Sequence, residues 1–188
     1  MFAYIKSGYE DFERVLQALH DEPSCVSLVY AAGITRKVAR KYANPRMIVS
    51  LQPLRLSHLL PNCDLGVCHA GHGTIGALLH AGVPVLLLPT QVEQYLAALR
   101  VQQLGAGLLV QPSKKGEGPP STRGTDFGRL LSRLLDEPGF REKARAFASR
   151  YDSFSPALQA QGMAARIEEI IAARGGLPAP TAALAGQG

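Results

Sequence analysis

Tryptophan is absent from the 188 residues, aromatics reach only 6%, and cysteine occurs three times. An odd, small cysteine count argues against a disulfide framework and fits a reducing compartment, so a cytoplasmic location is expected. The longest apolar run, residues 83–88, is far short of the about 20 residues that a membrane span needs. The opening stretch MFAYIKSGYEDF has no basic n-region or long apolar h-region, so neither a signal peptide nor a transmembrane segment is expected. Neither sign of charge dominates, with 20 Lys+Arg against 15 Asp+Glu giving +5. The bases are scattered and not interleaved with aromatics, which argues against a nucleic-acid partner. What remains is a chain that is 46% hydrophobic. At this length it can bury roughly 70% of the surface its unfolded form exposes, enough for a core without disulfides or structural metal.

Apolar runs and amphipathic segments alternate. Residues 1–5, 24–31, 47–51, 64–68, 83–88 and 108–111 read as strands. Several are near-continuous apolar runs, as strands covered on both faces should be. Between them, Phe12, Val15, Leu16 and Leu19 recur at helical spacing, as do Val92, Tyr95, Leu96 and Leu99. The expected fold class is α/β, a Rossmann-like parallel sheet of about six strands with helices on both faces and further helices at the C-terminal end. Two stripes, Phe127 to Leu135 and Met163 to Ile171, mark those last helices. A Gly/Pro-rich loop is expected at 113–125 and a flexible tail at 175–188, leaving 1–174 as one domain. Ligands of such sheets bind beyond the carboxyl ends of the strands.

The densest chemistry lies at 64–94, DLGVCHAGHGTIGALLHAGVPVLLLPTQVEQ. A strand runs into His69-Ala70-Gly71-His72-Gly73-Thr74, and a helix is expected from Gly73 or Thr74 to about Ala81. Gly71 and Gly73 let the backbone turn and approach a ligand closely. The helix start points free N–H groups at whatever sits there, a ready anion site. Thr74 and His69 could each donate a side-chain hydrogen bond to that anion. Taken alone, Thr74 is equally well a plain N-cap, and His69 a half-buried histidine bonded to backbone.

Two other motifs compete. Gly71, Gly73 and Gly76 spell G-x-G-x-x-G, so an NAD(P)-binding Rossmann domain is an alternative. The motif follows the fourth strand, however, and no acid ends the next one. Cys63, Cys68, His69 and His72 are close in sequence, but strand alternation points them apart, so no metal site is expected. No serine elbow or activated cysteine is visible. His58, His72 and His80 read as surface residues, and the catalytic residues are left unknown.

Taken together, strand, His-x-Gly-x-Gly-Thr, helix, Gly-Val-Pro, strand and acid-Gln resemble the C-terminal donor-binding half of the GT-B glycosyltransferases. These are the nucleotide-sugar-dependent UDP-glucuronosyl/glucosyltransferases and macrolide glycosyltransferases. The resemblance covers about residues 1–111. It implies a nucleotide-diphosphate-sugar-binding domain, 1–174, of an inverting enzyme that transfers a hexose to an acceptor hydroxyl. By position, His69, Gly71, Gly73 and Thr74 would hold the donor diphosphate, and Glu93 and Gln94 the donor sugar. Leu51, Gln52 and Pro53 would lie against the nucleobase, and Ser7 and Gly8 would line the cleft. The family commonly has Glu at Ala77, where it binds ribose hydroxyls, and Asn at Ala97.

The resemblance implies no cofactor and no metal, with a UDP- or dTDP-sugar as substrate. The acceptor-binding half, which carries the base, is implied as a partner in cis or trans. An excised domain, a truncated product and one subunit of a split transferase all remain open. A non-catalytic nucleotide-binding or partner-docking half is the further alternative, and a homodimer is possible through apolar cleft surface.

Overall fold

The computed structural model describes residues 1–111 and 124–173. Six strands form one sheet: β1 Phe2–Lys6, β2 Ser27–Ala32, β3 Met47–Ser50, β4 Gly66–Cys68, β5 Val85–Leu87 and β6 Gly107–Leu109. All pairings are parallel, in the order β3-β2-β1-β4-β5-β6. All six expected strands are present. The order reverses between β1 and β4, which makes the carboxyl ends of those two strands the topological switch point.

Helices cover both faces. On one face α1 (Phe12–Asp21), α2 (Arg36–Tyr42) and α6 (Phe127–Asp136) pack Phe12, Val15, Leu16, Leu19, Tyr42, Phe127, Leu131 and Leu134 over Ala3, Ile5, Val29 and Val67. On the other, α4 (His72–His80) and α5 (Val92–Leu104) pack Ile75, Leu78, Leu79, Ala98 and Val101 over Phe2, Cys68, Val85 and Leu87. α7 (Pro138–Arg150) adds Ala144 to this second cluster. Between β3 and β4 lies a short helix, α3 (Leu56–Leu59), continued by a 3₁₀ turn, Leu60–Asn62.

α5 turns a different face inward from the one its periodicity predicts. Val92 and Leu96 are exposed, while Gln94, Ala98 and Val101 are buried. Ala98 is small enough to bring the helix close to the sheet, and Gln94 has polar partners to satisfy it (below).

The chain divides into two units, Met1–Arg150 and the residues from Tyr151 on. The second contains α8 (Pro156–Ala173), whose Leu158, Met163, Ile167 and Ile170 are exposed. The expected tail at 175–188 and most of the expected loop at 113–125 lie outside the described residues. Among the described residues no helix is long and apolar enough to cross a membrane.

Candidate functional site

At the switch point, Ala70 carries the chain from β4 into α4 at φ 60, the only positive-φ residue other than glycine among those described. Gly71 is the N-cap, with no side chain capping the helix and no acid in its first turn. The first intrahelical bond runs from the Ile75 N–H to the Gly71 carbonyl, at 3.0 Å. The N–H groups of His72, Gly73 and Thr74 therefore stand ahead of the ladder, carrying the positive end of the helix dipole. α4 begins one or two residues earlier than expected, which puts Thr74 inside the first turn and removes its reading as an N-cap. Among the described residues a Cβ placed on Gly71 or Gly73 would meet nothing within 4 Å, so packing among them does not account for either glycine and leaves room for a ligand over the loop.

His69, expected as a side-chain donor, is bonded to main chain through its ring. Its ring is buried, with Nδ1 2.8 Å from the Leu88 carbonyl and Nε2 accepting the Lys6 N–H at 2.9 Å. The Leu88 contact requires the proton on Nδ1, so both ring nitrogens are committed to main chain. Tyr4 and Tyr9 close on it edge-on, at 6.0 and 5.4 Å between ring centres. Burial holds its pKa below the ordinary value, the Lys6 charge acts in the same direction, and the Leu88 carbonyl opposes them. A neutral ring whose two nitrogens are both taken by main chain has no spare donor for an anion; it fixes the loop that opens α4.

The acid-Gln pair also divides. The Gln94 side-chain carbonyl accepts from the Thr90 N–H at 2.9 Å and the Thr90 hydroxyl at 3.0 Å, which is why a buried glutamine is tolerated. Glu93 is exposed and lines a depression of about 490 Å³ with His72, Leu96, Ala97 and Leu99. Only Glu93 of the pair opens onto that depression.

At the end of β3, the Ser50 hydroxyl donates to the Gln52 carbonyl at 2.8 Å and accepts the Gln52 N–H at 3.1 Å. Gln52 therefore spends main-chain groups internally, while the side chains of Leu51 and Pro53 are exposed. At the end of β1, the Ser7 N–H is tied to the Ala32 carbonyl at 2.9 Å, and Ser7 and Gly8 are exposed.

The competing motifs do not assemble. A Cβ on Gly76 would meet nothing within 4 Å, so it does not supply the close helix–strand packing of a dinucleotide fingerprint. The Cys68 thiol is pushed up to about 12 by burial, and the described residues contain no metal-holding cluster of His, Cys, Asp and Glu.

Comparison with known proteins agrees with this architecture. Residues 28–165 match the family described as erythromycin biosynthesis protein CIII-like, C-terminal domain. The TDP-daunosamine transferase DnrS of Streptomyces peucetius is 37% identical over 101 residues, 54% of this chain and 22% of that protein. A sterol 3-beta-glucosyltransferase of Vanderwaltozyma polyspora is 42% identical over 92 residues, 49% of this chain and 7% of that protein. The glycosyltransferase VinC, solved in complex with dTDP, superposes with a TM-score of 0.67 at 21% identity, covering 89% of this chain and 41% of that one. The chain thus spans well under half the length of these relatives.

Proposed function

Because the chain belongs to the family of EryCIII-like C-terminal domains, we propose that it binds a nucleotide-diphosphate sugar as the donor half of an inverting GT-B glycosyltransferase. One observation carries this reading: the strand order lays the candidate segments along the sheet edge in the order of the parts of such a donor. The exposed Leu51 and Pro53 follow β3, Ser7 and Gly8 follow β1, the open N-terminus of α4 follows β4, and Glu93 follows β5. β3 and β4 are three strand spacings apart, about 14 Å, so base and diphosphate can be held together along one edge. The sugar then falls one further spacing on, at Glu93.

In the complete enzyme the acceptor hydroxyl oxygen bonds to the anomeric carbon as the carbon–oxygen bond to the phosphate breaks. The electron pair leaves with the diphosphate, and the acceptor proton passes to a base on the acceptor-binding half, supplied in cis or trans. The contribution of this chain is electrostatic: the N–H groups of residues 72–74 and the Thr74 hydroxyl meet charge as it develops on the leaving group. The Thr74 hydroxyl has no hydrogen-bond partner among the described residues, which leaves it available. We place the domain in the cytoplasm, where its three free cysteines would stay reduced.

The testing experiment is thermal melting with millimolar UDP, dTDP, GDP, ADP and NAD. A nucleoside diphosphate at 100 times its dissociation constant adds about 2.7 kcal/mol, a readily measured rise. UDP or dTDP should raise the melting temperature and NAD should not. A rise with NAD alone would replace the donor site with a dinucleotide site.

A further inference from the structure

Lys6 is the last residue of β1 and faces Ala32 in the ladder. Along β1, Ala3 and Ile5 enter the cluster under α1, while Phe2 and Tyr4 belong to the cluster under α4. The pleat therefore turns Lys6, two residues beyond Tyr4, to the α4 side of the sheet. Its main-chain N–H is fastened to the His69 ring at 2.9 Å, so its Cα is held beside the loop that opens α4. The side chain is exposed, and its ammonium has no hydrogen bond or ion pair among the described residues. The buried carboxylate of the next loop, Asp11, is already taken by Arg14 at 2.6 Å. A flexible cation thus stands unpaired on the β1 side of the switch point, opposite the open N-terminus of α4.

We propose that the Lys6 ammonium binds the diphosphate of the donor, clamping it from the β1 side against the N–H groups of His72, Gly73 and Thr74; this rests on the donor-site reading above. A main-chain helix start supplies partial charges fixed in direction. Lys6 adds a full charge on a stem that can follow the phosphate as the sugar departs.

Side chain and main chain are separable here. Any substitution except proline keeps the N–H that bonds His69, so Lys6→Gln should melt with the wild type. The full chain, as wild type, Lys6→Gln and Lys6→Arg, is titrated calorimetrically with dTDP, UDP, thymidine and uridine. For whichever diphosphate the wild type takes, Lys6→Gln should bind about tenfold more weakly, the loss expected of one charge-assisted hydrogen bond. Lys6→Arg should recover most of that loss, and the affinity for the matching nucleoside should not change. Equal diphosphate affinity in Lys6→Gln would overturn the role of Lys6 and leave the donor site standing. Parallel weakening of nucleoside and diphosphate would also overturn it, because the effect would then not be on phosphate. A wild type that binds neither diphosphate would overturn the donor-site reading itself.

Discussion

The main-chain N–H of Lys6 donates to Nε2 of His69 at 2.9 Å, fastening the end of β1 to the exit of β4 across the switch point. Through Nδ1 the same ring holds the Leu88 carbonyl at the end of β5. One side chain thus laces three adjacent strands just where the loop into α4 begins. Replacing it by alanine strands a donor and an acceptor in a site that the tyrosines screen from water. His69→Ala is expected to lower stability by about 2–4 kcal/mol in urea denaturation. Nucleotide binding should weaken only as the loop loosens. A His69→Ala domain as stable as the wild type would remove this latch.

Acid should open the same latch. Burial holds the His69 imidazole below its ordinary 6.5, so below that pH the unfolded chain takes up a proton that the folded one resists. The stability from the neutral ring is complete above about 6.5 and is lost as the pH falls toward the folded value. Melting temperature should therefore be level between about pH 7 and 8 and decline below, and His69→Gln should flatten the decline. Glu13 and Glu137, held below 4.5 by hydrogen bonds from Lys41 and Arg133, act in a more acid window and do not interfere. A decline of the same size in His69→Gln would assign it to other groups.

Much of the fold is legible in the sequence because parallel strands covered on both faces are written as apolar runs. The start of α4 is legible because glycines mark it. Three features are not. The face of α5 is misread because hydrophobic periodicity favours Leu96 over Ala98, whereas close packing on the sheet favours the smaller residue. α3 is a single turn, too short for a periodic signal beyond Leu56, Leu59 and Leu60. The ring of His69 meets the ends of β1 and β5, residues distant in sequence, and no local pattern announces that. Lys6 carries only a weak signal, as the polar end of an alternating β1.

The approach of α4 to the sheet is set by Gly66. A Cβ there would stand 2.6 Å from Cδ1 of Leu78, which is fully buried on the inner face of α4. Gly66→Ala must push the helix outward or force Leu78 off its rotamer, at a cost of about 1–3 kcal/mol. If the helix moves, its N–H groups move with it, and the thermal shift given by a nucleoside diphosphate should shrink along with the basal stability. Gly71→Ala, in open space, should leave stability within about 0.5 kcal/mol of wild type. Should Gly66→Ala prove neutral, α4 would have more freedom over β4 than this packing permits.

Glu93 and Gln94, adjacent in sequence, should separate cleanly on substitution. Gln94→Ala removes the acceptor for both the N–H and the hydroxyl of Thr90 and leaves a void in the turn between β5 and α5. A loss of about 1–3 kcal/mol is expected, read in urea melts. Glu93 is exposed and makes no hydrogen bond or ion pair among the described residues, so Glu93→Gln should leave stability unchanged. Its effect should appear only with a sugar attached: wild-type and Glu93→Gln chains should bind the nucleoside diphosphate alike. The intact nucleotide sugar should bind the variant several-fold more weakly, because a carboxylate accepts a hydroxyl proton more strongly than an amide does. Equal affinity for the nucleotide sugar in both chains would take Glu93 out of the sugar site.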